Sequence, residues 1–183
     1  GNGKRYMSVD VARFGNDKTK IRIWDGWVVI KKEILEKKST KEVAERIKEL
    51  QIEHKVPSSN TVIDEDGIGG GVIDHWPKNS VKGFIANSKP INQKANENYE
   101  NLKAQCAYIV AEKVKKKEVY EPEGNTDEQE LLIEDLEQIK EKDTEGRRRG
   151  IVSKDQVKEV LGRSPDDGDT WIMRALFEVS IGS

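Results

Sequence analysis

A single acidic residue lies inside a short apolar segment near the start of the chain. The segment is residues 8–12, the acid is Asp10, and a turn containing Gly15 leads to a second apolar segment, residues 21–24. Two such segments joined by a glycine-containing turn indicate a β-hairpin. A carboxylate half-buried in a strand is costly unless its charge is compensated, and a metal ion is one such partner. The sequence therefore predicts a functional acid on the first strand of a sheet.

The N-terminal part of the chain predicts three consecutive antiparallel strands. The strands are expected at about residues 5–12, 18–25 and 27–35, and Asp25-Gly26 is a dipeptide typical of a tight hairpin turn. Because each strand follows the previous one closely, neighbours along the chain are expected to pair in the sheet.

A helix and further strands follow. Ser39 and Glu42 have the spacing of a capping box and open a helix. Residues 61–63 form an apolar run too short for a helix, so they are expected to be a buried strand that ends at Asp64. A strand–helix–strand crossover gives parallel pairing. Another strand is expected at 81–86, which completes an α/β class with a mixed central sheet flanked by helices.

The sequence of the C-terminal half predicts mainly helices. Apolar spacing and caps predict helices at 98–117, from Thr126 and at 154–161, and a last helix that begins at Ser164-Pro165 and carries apolar residues up to Val179. Residues 140–153 are expected to form an inserted β-hairpin that carries three consecutive arginines.

Composition limits the function classes. The chain has 183 residues, a formal net charge of −2 and one cysteine, Cys106, so neither an internal disulfide nor a thiolate zinc site is expected. A nucleic-acid partner would need local basic patches, because the net charge gives no basic signature. There is no apolar run that predicts a membrane span or signal peptide, and no G-x-x-x-x-G-K-[ST] motif. These features favour a single domain, residues 1–183, in a reducing cytosolic setting.

Two more acidic sites stand far along the chain. Asp166 and Asp169 are three residues apart on a helix and share a face, although acids are also favoured in a first helical turn by the helix dipole. Asp64 ends a strand, although Asp before glycines also forms turns, and Asp66 is an alternative to it if the strand register slips. Together with Asp10 these carboxylates could hold two divalent cations about 3.5–4 Å apart. Oxygen ligands suit Mg²⁺ or Mn²⁺.

Three motifs in order resemble the C-terminal nuclease domain of the large terminase subunit of tailed bacteriophages. They lie at residues 8–19, at 62–74 and at 162–169. The resemblance implies an RNase H-like fold and a two-metal endonuclease that cuts concatemeric viral DNA in the host cytoplasm. It implies that an ATPase motor domain, a small terminase subunit and a portal are partners in the full-length protein. Thr170 departs from the alanine usual in this family.

The resemblance also assigns roles to particular residues. It carries catalytic and metal-binding roles onto Asp10, Asp64 and Asp166, with Asp169 as an additional ligand or positioning acid. Asp167 is an extra acid whose side chain is expected to point away.

DNA contact requires positive charge near the predicted acids. Arg147, Arg148 and Arg149 at the hairpin tip are the first choice, although a solvated charged turn would look the same. Arg13 and Lys18 flank the first acid and are further choices for holding a phosphate.

Other functions remain open at this stage. A non-catalytic module that docks a motor or DNA to a portal would keep the fold without needing the acids. A Holliday-junction resolvase-like nuclease would share the fold and the chemistry. An actin-like or sugar-kinase-like phosphotransferase would need a second glycine-rich phosphate hairpin, which the sequence does not contain.

Overall fold

The computed structural model describes residues 3–12, 18–36, 38–95, 97–122, 126–137, 141–142, 148–162 and 165–180. The chain forms two compact units. The first comprises Gly1–Ile85 and Glu118–Pro122, and the second comprises Ala86–Lys117 and Glu123–Ser183. No helix within the described residues has the length and apolar character needed to cross a bilayer.

The first unit contains a five-stranded sheet. Its strands are β1 (Arg5–Asp10), β2 (Lys18–Asp25), β3 (Val28–Glu36), β4 (Thr61–Asp64) and β5 (Lys82–Phe84), in the order β3-β2-β1-β4-β5. The first three pair antiparallel, whereas β4 pairs parallel with β1 and with β5. The predicted mixed sheet is confirmed, although β1 and β5 are each shorter than the sequence predicts.

One face of this sheet is covered by helices. The helices are α1 (Thr40–Glu53) and α2 (Gly69–Ile73), and the predicted capping box of Ser39 and Glu42 opens α1. They bury a continuous apolar core with the strands: Met7, Val9, Ile21, Ile23, Val43, Ala44, Ile47, Leu50, Ile63 and Val72.

Alternation along β1 places Asp10 on the opposite face of the sheet. Met7 and Val9 belong to the apolar core with α1. Successive side chains of a strand point to opposite faces, so Ser8 and Asp10 point away from that core. The indole nitrogen of Trp24 donates a buried hydrogen bond of 3.1 Å to Ser8 Oγ, which places polar pairing on this second face.

A bidentate ion pair ties the edge of the sheet to α1. The guanidinium of Arg46 donates two hydrogen bonds of 2.7 Å to the carboxylate of Glu33 on β3. These hydrogen bonds lower the pKa of Glu33 below its ordinary value of 4.5.

We expect Glu33→Gln to destabilise the fold more at pH 7 than in acid. Because the folded pKa of Glu33 is lowered, its ionised form contributes stability above the unfolded-state pKa, and this contribution is lost as the pH falls through the folded value. Urea unfolding of both proteins from pH 7 to below pH 4.5 measures the gap. A gap in unfolding free energy that stays constant with pH would contradict the assignment.

The second unit is mainly helical. It contains α3 (Leu102–Lys115), α4 (Thr126–Glu137), α5 (Lys154–Leu161), α6 (Asp166–Arg174) and α7 (Leu176–Ser180), together with the short strands β6 (Glu141–Lys142) and β7 (Gly150–Ile151). Helix α6 packs against α3 and α4. Helix α5 has the predicted bounds and a capping box between Ser153 and Gln156.

Two predicted helices differ in the structure. Helix α3 begins at Leu102 rather than at residue 98, because Asn101 caps it and the preceding residues hydrogen-bond to the backbone of Arg149. The last helix is divided at Ala175, where amide hydrogen bonds reach back three residues instead of four.

The predicted hairpin at 140–153 is partly described. Strands β6 and β7 pair antiparallel within this range. The connection at 143–147, which includes Arg147, lies outside the described residues, as does Ser164, the predicted cap of the last helix. The hairpin insertion and the single-domain organisation stay predictions.

Candidate active site

Asp10 is the last residue of β1 and is 3% exposed. It pairs in antiparallel register with Lys20 on β2. Just beyond it, the backbone amide of Ala12 donates a hydrogen bond of 3.0 Å to Thr19 Oγ1. This bond ties the chain after Asp10 to the neighbouring strand, which restrains the backbone on the C-terminal side of Asp10.

Asp64 is the last residue of β4 and is held by the turn that follows it. The backbone amide of Asp66 donates a hydrogen bond of 3.0 Å to Asp64 Oδ1, which is an Asx-type turn. Gly67 has a φ of +70°, which favours glycine. Gly69 then packs directly on the backbone carbonyl of Asp64, where any side chain would overlap it.

The two strand-end acids are neighbours within the first unit. Val9 and Ile63 are register partners on the parallel strands β1 and β4. Asp10 and Asp64 are the next residue on each strand, so their backbones lie about 4.8 Å apart and their side chains point to the same face. The register therefore places Asp64, rather than Asp66, beside Asp10. Two adjacent carboxylates offer oxygen ligands that suit a hard divalent cation.

The second unit presents another pair of acids in the first turn of α6. A carboxylate oxygen of Asp166 and one of Asp169 lie within 4.8 Å of each other. Asp169 is 8% exposed, and its Oδ1 lies 3.6 Å from the ammonium of Lys103 on α3. Lys103 offsets part of the negative charge at this helix start. Asp167 is also in the first turn, partly exposed.

The predicted DNA-contact residues have different surroundings. Arg149 is exposed, and its guanidinium carbon lies 3.9 Å from the ring centroid of Tyr108. Arg148 is exposed as well. Lys18 forms an exposed ion pair of 3.1 Å with Glu36. Both Arg13 and Arg147 lie outside the described residues.

Cys106 is not a candidate for a catalytic nucleophile or a metal ligand. It is fully buried in α3, and burial raises the pKa of its thiol. A buried, protonated thiol is a poor nucleophile and a poor metal ligand.

Sequence reasoning missed two charged residues that touch the acidic turn of α6. Lys103 contacts Asp169, and the buried carboxylate of Asp135 on α4 accepts a hydrogen bond of 3.1 Å from the amide of Gly168. A signal existed for Asp135, because it follows the inward-facing Leu132 by three residues and so shares its face of α4. For Lys103 no local pattern indicates the contact.

No protein-family model matches the sequence, and no curated protein matches it significantly. Solved structures do match. The nuclease domain of the large terminase subunit gp2 of bacterial virus Sf6 aligns with a TM-score of 0.78 at 19% identity, covering 96% of this chain and 89% of that one. This chain has the large terminase nuclease fold. The match covers nearly the whole chain, and it confirms the predicted RNase H-like fold class.

Two further matches agree with the terminase nuclease fold. The large terminase nuclease of thermophilic phage G20c aligns with a TM-score of 0.60 at 15% identity, covering 94% of this chain and 80% of that one. A longer large terminase, from another thermophilic bacteriophage, aligns with a TM-score of 0.54 at 15% identity. This chain is covered to 96% there but spans only 40% of that longer protein.

Several of these terminase nuclease structures contain divalent cations. A mutant of the Sf6 domain has been solved with manganese and with calcium, and the G20c nuclease with cobalt and with magnesium. At identities of 13–19% the likeness establishes the fold of this chain, and its activity is argued from its own residues.

Proposed function

We propose that this chain is a metal-dependent DNA endonuclease that cuts concatemeric viral DNA during genome packaging. The observation that carries the proposal is the side-by-side placement of Asp10 and Asp64 at the ends of adjacent parallel strands, in a chain with the terminase nuclease fold. Paired carboxylates at strand ends are suited to holding a cation and are costly to maintain otherwise.

The proposed metal ligands are the strand-end pair, Asp10 and Asp64, and the helix-start pair, Asp166 and Asp169. All four donors are carboxylate oxygens, and each pair is close enough within its own unit to contribute to one ion. Oxygen-only donors fit Mg²⁺ or Mn²⁺ better than softer metals. When bound, two such cations would supply Lewis-acid polarisation of a phosphodiester and an activated water.

The chain's own contribution is to hold these oxygens rigidly. The hydrogen bond from Ala12 to Thr19 restrains the backbone just after β1, and the Asx turn orients the carboxylate of Asp64. Lys103 holds Asp169 through an ion pair in which both side chains are largely buried. Fixed ligands need little reorganisation when a substrate binds, which favours catalysis.

Arg149 is the arginine best arranged to contact a DNA phosphate. Its guanidinium is stacked on Tyr108 while the side chain remains exposed, and its backbone is hydrogen-bonded to residues Asn98 and Glu100. A stacked guanidinium keeps its donors available in the ring plane and loses less side-chain freedom on binding. Arg148 is its exposed neighbour; Lys18, already paired with Glu36, is a weaker choice.

We expect Arg149→Ala to weaken DNA binding about fivefold, or ~1 kcal/mol, and to reduce the slope of log affinity against log salt by about 1. The reason is the loss of one phosphate contact and its released counterion. Fluorescence anisotropy with a labelled duplex in EDTA, over a salt series, measures both quantities. Lys115→Ala, an exposed cation on α3, serves as the control, and equal slopes in the two variants would refute the role of Arg149.

The activity itself is tested with supercoiled plasmid incubated with Mn²⁺, Mg²⁺ or EDTA. Nicking and linearisation are expected with either cation and are absent in EDTA. A folded protein that binds DNA but cuts it under no condition would favour a docking module for a packaging motor or portal. Strong preference for a four-way junction over linear duplex would favour a resolvase-like nuclease.

The larger assembly is also part of the proposal. The chain spans less than half of the longer large terminase that it matches and carries no P-loop motif. It would act as the single nuclease domain of a packaging protein, alongside an ATPase motor domain, a small terminase subunit and a portal, in the host cytoplasm. Co-purification of the chain with each candidate partner tests this arrangement.

A further inference from the structure

Helix α6 begins without a side-chain cap of its own. Its N-cap residue is Pro165, which makes no side-chain hydrogen bond. The first amides of a helix have no acceptor inside the helix and need one from elsewhere. Asp135, on α4, supplies an acceptor, since its Oδ2 accepts a hydrogen bond of 3.1 Å from the backbone amide of Gly168.

The surroundings of Asp135 make this contact specific. Asp135 is 2% exposed, although a carboxylate is rarely buried so deeply unless its charge is compensated. A buried carboxylate at a helix N-terminus is stabilised by the amide donor and by the positive end of the helix dipole. The hydrogen bond therefore provides a physical reason for an acid at this position.

Glycine at position 168 is what allows the two helices to approach. A Cβ at that position would lie 2.9 Å from the Cβ of Asp135, closer than real Cβ atoms come. Gly168 lies between Asp166 and Asp169 in the same helical turn. The amide that donates to Asp135 thus belongs to the helical turn that carries both acids.

Asp135 and Asp169 also face a shared space. They line one small cavity together with Lys103, with Ile151, Val152, Val157 and Ile172 forming apolar walls. Displacement of the Asp135 carboxylate would therefore change the packing on the side of α6 where Asp169 forms its ion pair with Lys103.

We propose that Asp135 is a positioning residue that fixes the first turn of α6 and so the orientation of Asp166 and Asp169 for metal binding. This inference rests on the proposed function, because it takes these two acids as metal ligands. Removing a residue that orients metal ligands typically weakens metal affinity about 10–100-fold.

Isothermal titration calorimetry with Mn²⁺ tests the proposal at a temperature where circular dichroism shows each variant folded. Asp135→Ala is expected to weaken Mn²⁺ binding about 10–100-fold. Asp135→Asn retains an acceptor oxygen for Gly168 and is expected to restore most of the affinity. Leu132→Ala removes buried packing from the same helix without touching the cap, and is expected to leave Mn²⁺ affinity within about threefold of wild type.

Amide hydrogen exchange provides a readout that does not depend on metal. The amide of Gly168 is expected to exchange faster in Asp135→Ala than in Leu132→Ala. Wild-type affinity in Asp135→Ala, or an equal loss in Leu132→Ala, would overturn the positioning role. If the wild-type chain binds Mn²⁺ but cuts no DNA, the proposed function fails while the positioning role is still decided by these variants. If it binds no Mn²⁺, both fail, and exchange at Gly168 reports only whether Asp135 caps the helix.

Discussion

Asp10→Asn is expected to reduce metal-dependent plasmid cleavage by on the order of 10³-fold or more, equivalent to about 4 kcal/mol of transition-state stabilisation. Asparagine keeps the shape of the side chain but replaces an anionic oxygen with a neutral amide, which is a poor ligand for Mg²⁺ or Mn²⁺. The loss is expected in the cleavage rate at saturating metal as well as in the metal concentration required. Initial nicking rates over a Mn²⁺ series, for wild type and variant, measure both.

The fold is expected to survive this substitution. Asp10 is buried beside Asp64, so removing its charge also removes repulsion between neighbouring carboxylates. The midpoint of urea unfolding should therefore be equal to that of wild type or higher. Asp74→Asn, the same change at an exposed position after α2, is the matched control and should cut normally. Cleavage by Asp10→Asn at the rate of this control would remove Asp10 from the site.

Gly69→Ala is expected to have the largest effect on stability, lowering the free energy of unfolding by about 3 kcal/mol. Its methyl group would overlap the backbone carbonyl of Asp64, and backbone cannot rotate away as a flexible side chain can. Relief requires α2 to move from the end of β4, which also displaces the carboxylate of Asp64. Cleavage should fall together with stability, and urea unfolding with plasmid nicking measures the two effects.

Gly70→Ala provides an internal control one residue along the same helix. A Cβ there would lie 3.7 Å from the backbone oxygen of Glu65, an ordinary contact. Alanine is favoured over glycine in a helix by up to about 1 kcal/mol, so this variant should be neutral or slightly more stable. Equal destabilisation of the two variants would contradict the assignment of the effect to the close approach between Gly69 and the carbonyl of Asp64.

Much of the architecture was predictable because it depends on short-range patterns. Alternating apolar residues and the Asp25-Gly26 turn encode the antiparallel strands, and the capping boxes of Ser39 and Ser153 set where α1 and α5 begin. Each of these signals lies within a few residues of the feature it determines. Boundaries were missed where a distant segment intervenes, as at the start of α3, where Arg149 pairs with the residues before Asn101.

By itself the sequence determined that an acid lies on the first strand of a mixed sheet and that a second acid ends a later strand. Only the tertiary structure decided that Asp64, rather than Asp66, stands beside Asp10, because that depends on the register between β1 and β4. It alone joined Asp135 to Gly168, which are 33 residues apart, and Lys103 to Asp169. Local patterns specify which face of an element is buried, whereas contacts between distant residues arise only when those faces pack together.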